Sequence, residues 1–168
     1  MTDDASELTD LERLVALEAI RTLKARRDHA VDRKDWETYA ALHAENHIAD
    51  SIGGKQIIGG KATADMLAVL MAGITTIHHS HTPVIEFEGR DRAKGVWAME
   101  DSLFWKRNGE RLWFRGFGFY HERYALEADG EWRFTYRRLE RIHVETSPGA
   151  ELLAVDHSGE SDLGLRGR

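Results

Sequence analysis

The chain has 168 residues, 42% of them apolar and 31% charged, with two prolines and a formal net charge of −6. That suffices for one domain with a substantial core, and no run reaches the ~18 consecutive apolar residues of a membrane helix. The acidic balance argues against a nucleic-acid partner, and the absence of cysteine excludes disulfides, thiolate metal sites and a cysteine nucleophile while fitting a reducing cytoplasm.

The N-terminal residues are acidic and lack an apolar stretch, so they do not read as a signal peptide. The first element is helical. Leu11, Leu14, Leu17, Ile20 and Leu23 recur at three-residue steps, and Val15 and Ala19 widen the stripe to a band expected to face the core. Thr9 and Glu12 have capping-box spacing, which predicts a helix from there to about Val31. Asp35 is a candidate cap for a second helix through Trp36, Tyr39, Ala40 and Leu42. A third is predicted over 61–70 or 61–71, with Gly73 as its terminator. The pairs Gly53-Gly54 and Gly59-Gly60 punctuate a short strand pair between the second and third helices.

The second half reads as strands, at 75–87, 93–106, 112–126 and 131–144, rich in aromatic and β-branched residues. Asn108-Gly109 and Asp129-Gly130 are hairpin signals between three of them. Helices followed by a long antiparallel meander imply an α+β fold rather than a parallel sheet. Strands of ~13 residues would reach ~40 Å if flat, so the sheet must bend, and Gly95, Gly116 and Gly118 are placed to allow it. A curved antiparallel sheet with helices across its concave side makes a cone-shaped roll enclosing a pocket. The domain is therefore set at 1–145. Residues 146–168, rich in Ser, Gly and acids, read as a tail that is flexible or docks on a neighbouring subunit through Leu152, Leu153, Val155, Leu163 and Leu165.

Nine histidines are many for this length, and His78, His79 and His81 fall in one strand. Histidine moves protons near neutral pH, whereas an isolated strand histidine is more often a packing residue. His79 and His81 share a strand face and form two ligands of a conceivable metal site, but no third ligand stands at a familiar spacing. Asp32 sits at the end of the first helix, where the macrodipole disfavours a carboxylate, so another demand must hold it there unless it is simply solvated. Arg27, Arg137 and Arg138 read equally as solvated charges, and Trp97, Met99, Tyr120 and Trp132 as core. Strict alternation creates a conflict of parity: His78 shares a face with Ser80, Thr82 and Val84, while Ile85 and Phe87 lie opposite with His79 and His81. Either a bulge near Pro83 flips the register, or His79 and His81 are the inward histidines.

Across about 8–144 the chain resembles the SnoaL-like branch of the nuclear transport factor 2-like superfamily. The carriers are the helix ending in Asp32, the strand from Ile77 to Phe87, the segment Gly95 to Asp101, the segment Gly118 to Tyr124, and Asp129 to Phe134. Within that superfamily it is most similar to the hexachlorocyclohexane dehydrochlorinase, scytalone dehydratase and bile-acid dehydratase group. The resemblance implies a histidine base oriented by an aspartate, His78 and Asp32, assisted by a basic helix residue, Arg27, and a late arginine, Arg137. His81 is the reserve for the base. Met99 and Asp101 stand where apolar residues are expected, with Tyr120 for Phe and Arg141 for Thr, which disfavours a chlorinated hydrocarbon. Trp97, Met99, Asp101, Tyr120 and His81 are the candidate substrate contacts.

The function so implied is a cofactor-free lyase, a dehydratase or an isomerase, acting on a small oxygenated alicyclic or polycyclic molecule in the cytoplasm, without metal, membrane or nucleic acid. Two alternatives stand beside it: a non-catalytic small-molecule-binding or interaction module of the same fold, and a cyclase or ketosteroid-isomerase-like enzyme with Asp101 or Asp32 as base. Trp105, Trp113 and Phe117 are expected on the convex sheet face, where an apolar surface would support a homodimer or homotrimer.

Overall fold

The computed structural model describes residues 8–52 and 55–150, apart from the side chains of residues 51, 52 and 55. Gly53 and Gly54, and the tail anchors Leu152, Leu153, Val155, Leu163 and Leu165, lie outside the described residues. The elements run α1 (Asp10–Arg33), α2 (Trp36–Ala41), β1 (His43–Ile52), β2 (Lys55–Ile58), α3 (Gly60–Leu70), β3 (Thr75–Phe87), β4 (Arg92–Arg107), β5 (Glu110–Leu126) and β6 (Trp132–Thr146).

Local chemistry sets most of these bounds. The Thr9 hydroxyl accepts from the Glu12 backbone N–H while the Glu12 carboxylate accepts from the Thr9 N–H, closing the predicted capping box on α1. Lys34 ends the helix in the left-handed conformation, at φ 61°. Asp35 caps α2 through the Thr38 N–H. Between β4 and β5, Asn108 and Gly109 both take positive φ, 52° and 84°, as a two-residue hairpin with matching strand twist requires.

The strands form one sheet in the order β2-β1-β6-β5-β4-β3, so the last four make the predicted antiparallel meander. β1 adds to the far side of β6 in parallel, a pairing that alternation patterns could not reveal. The core lies between α1 and the concave face, where Ile20, Leu23, Trp97, Met99, Tyr120, Tyr124 and Phe134 pack together, with Ile85, Phe87 and Leu139 against them. A second cluster joins the helices through Ala30, Val31, Tyr39, Ala64 and Leu67. This is the expected α+β cone, with the sheet open rather than closed into a barrel.

Two expectations need correction. Leu11, Leu14 and Val15 are exposed, and α1 instead buries Ala16, Ile20, Leu23, Lys24, Arg27, Asp28, Ala30 and Val31. Each three-residue step turns back about 60° on a 3.6-residue helix, so the leucine series spirals around α1 instead of lying on one face. Likewise Trp105 pairs with Leu112 and shares the concave face of Leu103, whereas Trp113 and Phe117 lie on the opposite face.

The β5–β6 register slips between Phe117 and Gly118. A Cβ on Gly118 would lie 1.9 Å from the Glu140 carbonyl oxygen, which is backbone and cannot swing away. We expect Gly118→Ala to lower unfolding free energy by about 1–3 kcal/mol, the range for overpacking in a rigid site. Urea denaturation measures it; a neutral result would mean that the two strands separate easily there.

Candidate active site

The free edge of β3 meets the last turn of α1, and one carboxylate joins them. Asp32 Oδ1 accepts from the Thr76 hydroxyl at 2.9 Å and from His78 Nδ1 at 2.7 Å, and Oδ2 accepts from the His78 backbone N–H at 2.9 Å. These three donors are the demand that holds an acid at a helix C-terminus against the macrodipole. Burial alone would raise the Asp32 pKa, but its hydrogen bonds to His78 and Thr76 outweigh burial and hold it below the ordinary value. Since an ionised Asp32 only accepts, His78 Nδ1 is the donor in this contact, and in a neutral ring the lone pair is then at Nε2. Lys34 donates to the same Thr76 hydroxyl at 2.7 Å. One turn earlier on α1, Asp28 accepts from Ser80 at 2.6 Å, so two acids one helical turn apart engage alternate residues of β3.

The conflict of parity is resolved by a bulge. Ser80 pairs with Met99 and Pro83 with Trp97, so two residues of β3 lie where β4 supplies one. His78 and Ser80 therefore face inward ahead of the bulge, and Ile85 and Phe87 face inward after it. His81 falls within the bulge and is exposed, and His79 turns outward to Glu100, 2.8 Å away. Among the described residues, no three His, Asp or Glu side chains converge as a metal-binding set.

Behind the dyad the interior is charged to an unusual degree. Lys24 and Glu122 meet at 2.6 Å with side-chain exposures of 1% and 0%. Glu122 also accepts from the Tyr124 hydroxyl at 2.7 Å, and that hydroxyl accepts from Trp97 Nε1 at 2.7 Å. Burial lowers the Lys24 pKa to about 8, although Glu122 and Asp28 oppose the shift. The Tyr120 ring collects three cations, with Lys24 Nζ 3.9 Å, Arg137 Cζ 4.0 Å and Arg27 Cζ 5.6 Å from its centroid. Arg27 donates to Asp28 at 2.8 Å. Burial disfavours ionised Asp28, yet Lys24 and Arg27 hold its carboxyl far below the usual range. Asp101 spends both oxygens on Arg141, at 2.7 and 2.5 Å. Gly116 leaves room for that pair, since a Cβ there would meet Arg141 at 1.6 Å.

A cleft of about 370 Å³ opens between α1 and β3, walled by Lys24, Asp28, His78, Ser80, His81 and Trp97 among others. Of the sequence-derived candidates, His78, Trp97 and His81 reach it, and Asp32 grips His78 from the side. Arg27, Met99, Asp101, Tyr120 and Arg137 lie deeper in the cone and are not walls of this cleft. Lys24, Asp28, Ser80 and Glu122 were not foreseen. For Lys24 and Asp28 the signal was a helix stripe at steps of three and four, Ala16-Ile20-Leu23-Lys24-Arg27-Asp28-Val31, whose C-terminal half becomes charged without leaving the buried face. His43 and His47 were also missed. Both are buried, with ring centroids 4.5 Å apart.

Two outcomes follow. Lys24→Met should cost about 3–5 kcal/mol, the penalty for stranding a buried partner, in this case Glu122, and calorimetric unfolding reads it. Burial first, then Arg137 and Arg27, lower the His47 pKa to about 4 from an ordinary 6.5, with the Phe134 backbone opposing. Between these values the unfolded chain binds more protons, so stability is full above pH about 6.5 and falls towards pH 4 by up to about 1.4 kcal/mol per pH unit. His47→Phe should flatten that acid limb in a pH series of melting curves; an unchanged limb would assign the acid sensitivity elsewhere.

The same architecture recurs in solved structures. A protein from Novosphingobium aromaticivorans, described provisionally as a scytalone dehydratase, superposes with a TM-score of 0.75 at 18% identity, covering 90% of this chain and 100% of the other. A type 3 hexachlorocyclohexane dehydrochlorinase from Novosphingobium barchaimii gives 0.72 at 19% identity, covering 84% and 97%. A Mycobacterium tuberculosis protein of unknown function, carrying an Asp-to-Asn substitution, gives 0.67 at 22%, covering 90% and 84%. At such identities the likeness speaks for the fold. The SnoaL-like domain model matches residues 12–138, which include the α1–β3 junction, the charged interior and most of the sheet, and on that match the chain belongs to the SnoaL-like domain family of the nuclear transport factor 2-like superfamily.

Proposed function

We propose that the protein is a cofactor-independent lyase of the dehydratase type that uses His78 as its base on an oxygenated alicyclic or polycyclic substrate. The observation that carries this reading is the 2.7 Å contact between His78 Nδ1 and Asp32. It fixes the tautomer, aims Nε2 as the acceptor, and stabilises the imidazolium that proton abstraction creates. His78 Nε2 takes the proton from the carbon beside a carbonyl, the C–H electrons form the new double bond, and the C–O bond to the β-hydroxyl breaks. The imidazolium returns its proton to the departing oxygen, and water leaves. Arg27, Arg137 and Tyr120 supply positive field to the oxygen that gains charge in the transition state. Trp97 and His81 contact the substrate at the cleft, with Met99 and Asp101 shaping the deeper wall. Isomerisation is the same proton abstraction with the proton returned to another carbon.

The reading with an aspartate base is less favoured, because both Asp101 oxygens are engaged by Arg141 and Asp32 is engaged by three donors. A non-catalytic binding module has one observation on its side: Trp97, Met99 and Tyr120 are nearly fully buried as members of the core. Assembly into a homodimer or homotrimer through the sheet face of Trp113 and Phe117, and a cytoplasmic location, belong to the same proposal.

The test uses β-hydroxy ketones, 3-hydroxycyclohexanone and its bicyclic and steroidal homologues, with enone formation followed by ultraviolet absorbance. His78→Ala and Asp32→Asn should each lower kcat by about 10²–10⁴-fold while the far-UV circular dichroism stays native. Retained turnover in the histidine variant with loss in an aspartate variant would transfer the base to the carboxylate. Absence of turnover across the series, with tight binding of the ketones, would favour the binding module.

A further inference from the structure

Deeper than the dyad, the interior keeps donors that nothing among the described residues satisfies. Arg27 Nε, Arg137 Nε and the Tyr39 hydroxyl are each buried without a hydrogen-bond partner. A buried donor left unpaired costs about 1–3 kcal/mol, so three in one place call for an explanation. They do lie in one place. The Arg27 guanidinium carbon is 5.4 Å from the Tyr39 ring centroid, and Arg27 and Arg137 both approach the Tyr120 ring. His43 and His47 form the adjoining wall, with the His43 ring 4.4 Å from that of Tyr39 and 4.5 Å from that of His47.

Among the described residues, the charges in this region do not balance. Lys24, Arg27 and Arg137 face two carboxylates, Asp28 and Glu122. Arg141 and Asp101 cancel one another, and Asp32, at the β3 edge, is matched by Lys34 across Thr76. The poorly matched cation is Arg137. Its nearest carboxylate oxygen is on Glu122, 3.5 Å away and out of hydrogen-bond geometry, and Glu122 is already engaged by Lys24 and Tyr124. Neighbouring histidines add no charge of their own: burial first, then His47 for His43 and the two arginines for both, disfavours their protonation, and they stand as neutral walls. The Arg137 side chain keeps 12% exposure, but the three unpaired atoms themselves are buried, so a ligand reaches them only as the side chains around them move.

We infer that the cone interior is a subsite for a compact anion, and that the substrate carries a carboxylate held by Arg27 Nε, Arg137 Nε and the Tyr39 hydroxyl. The inference rests on the reading of the interior as a substrate site, and it narrows the substrate class from oxygenated rings to cyclic carboxylic acids. Charge-assisted hydrogen bonds from two arginines and a phenol are strong in a water-poor site, and a bound carboxylate would supply the missing charge and satisfy all three donors at once. A neutral ring of the same shape would leave them stranded.

Isothermal titration at fixed ionic strength with cyclohexanecarboxylate and its neutral isostere cyclohexanecarboxamide tests this. The carboxylate should bind at least about tenfold more tightly than the amide. Arg137→Gln should reduce that preference to near parity, and Tyr39→Phe, which removes one hydroxyl and is less disruptive, should weaken carboxylate binding severalfold with amide binding unchanged. His78→Ala should bind the carboxylate as the unmodified protein does, so a failed dyad and a failed subsite give different results. Equal binding of the two probes, no binding of either, or a full preference surviving in a folded Arg137→Gln or Tyr39→Phe protein would overturn the inference.

Discussion

The proposed site depends on how the end of a helix is fastened to the edge of a sheet. β3 is the terminal strand, and an edge strand presents backbone donors with no neighbouring strand to accept them. Asp32 accepts one of these, the His78 N–H, and uses its other oxygen for the Thr76 hydroxyl and the His78 ring. One residue thus covers an edge, anchors α1 and fixes an imidazole. A glutamate in its place would extend the side chain by a methylene and displace the ring, so the short acid is what the geometry demands. The bulge after Ser80 is the complementary device on the strand side: it lets the same strand present His78 to the carboxylate and Ile85 and Phe87 to the core. Without it, one of those two surfaces would face the wrong way.

The second constraint is the charged interior. Among the described residues, five charged side chains of near-zero exposure, Lys24, Arg27, Asp28, Asp101 and Glu122, sit in the interior where a stability-optimised protein would place leucines. Buried ion pairs of this kind seldom add stability over an apolar replacement, because desolvation consumes most of the attraction. Their retention makes sense if the fields are needed. Trp97, Tyr124, Glu122 and Lys24 form a chain of donors and acceptors in which each group fixes the next, so Lys24, the cation nearest the Tyr120 ring, is held rigid rather than free to swing. A preorganised field requires little rearrangement as charge develops in a transition state, and low polarisability of the surroundings strengthens it.

How much of this the sequence disclosed varied with the range of the interaction. Strand extents and hairpins were legible because Asn108-Gly109 and the aromatic runs act locally, and the Thr9–Glu12 box marked the start of α1 for the same reason. The burial of α1 was misread, because hydrophobicity drew attention to Leu11, Leu14 and Val15 while the face that packs carries Lys24, Arg27 and Asp28. A charge reads as solvent-exposed until its partner is known, and the Glu122 partner lies 98 residues away. His78 and Asp32 were paired through resemblance, and the parity conflict at Pro83 left open either a bulge or inward-facing His79 and His81, of which the structure has the bulge. Arg141 was noted as unusual, yet its pairing with Asp101 depends on a cross-strand diagonal and on the space left by Gly116, neither of which is written in linear order.

That pairing also limits what the site can do. Asp101 and Arg141 stand on adjoining faces of the cone interior, and together they present a neutral, rigid, bidentate unit instead of a free acid or a free cation. The two ends of the interior are consequently different in character. At the β3 end, Asp32 and His78 hold a proton acceptor; further in, Arg27, Arg137 and Tyr39 hold unspent donors; and the remaining charges are matched against one another. A substrate oriented by such a gradient would place its acidic C–H at Nε2 and its electron-rich end towards the arginines. The electron density released by proton abstraction would then flow down the field rather than against it. On the proposed function, the polarity of the whole interior, more than any one residue, would make His78 the group to which a proton moves.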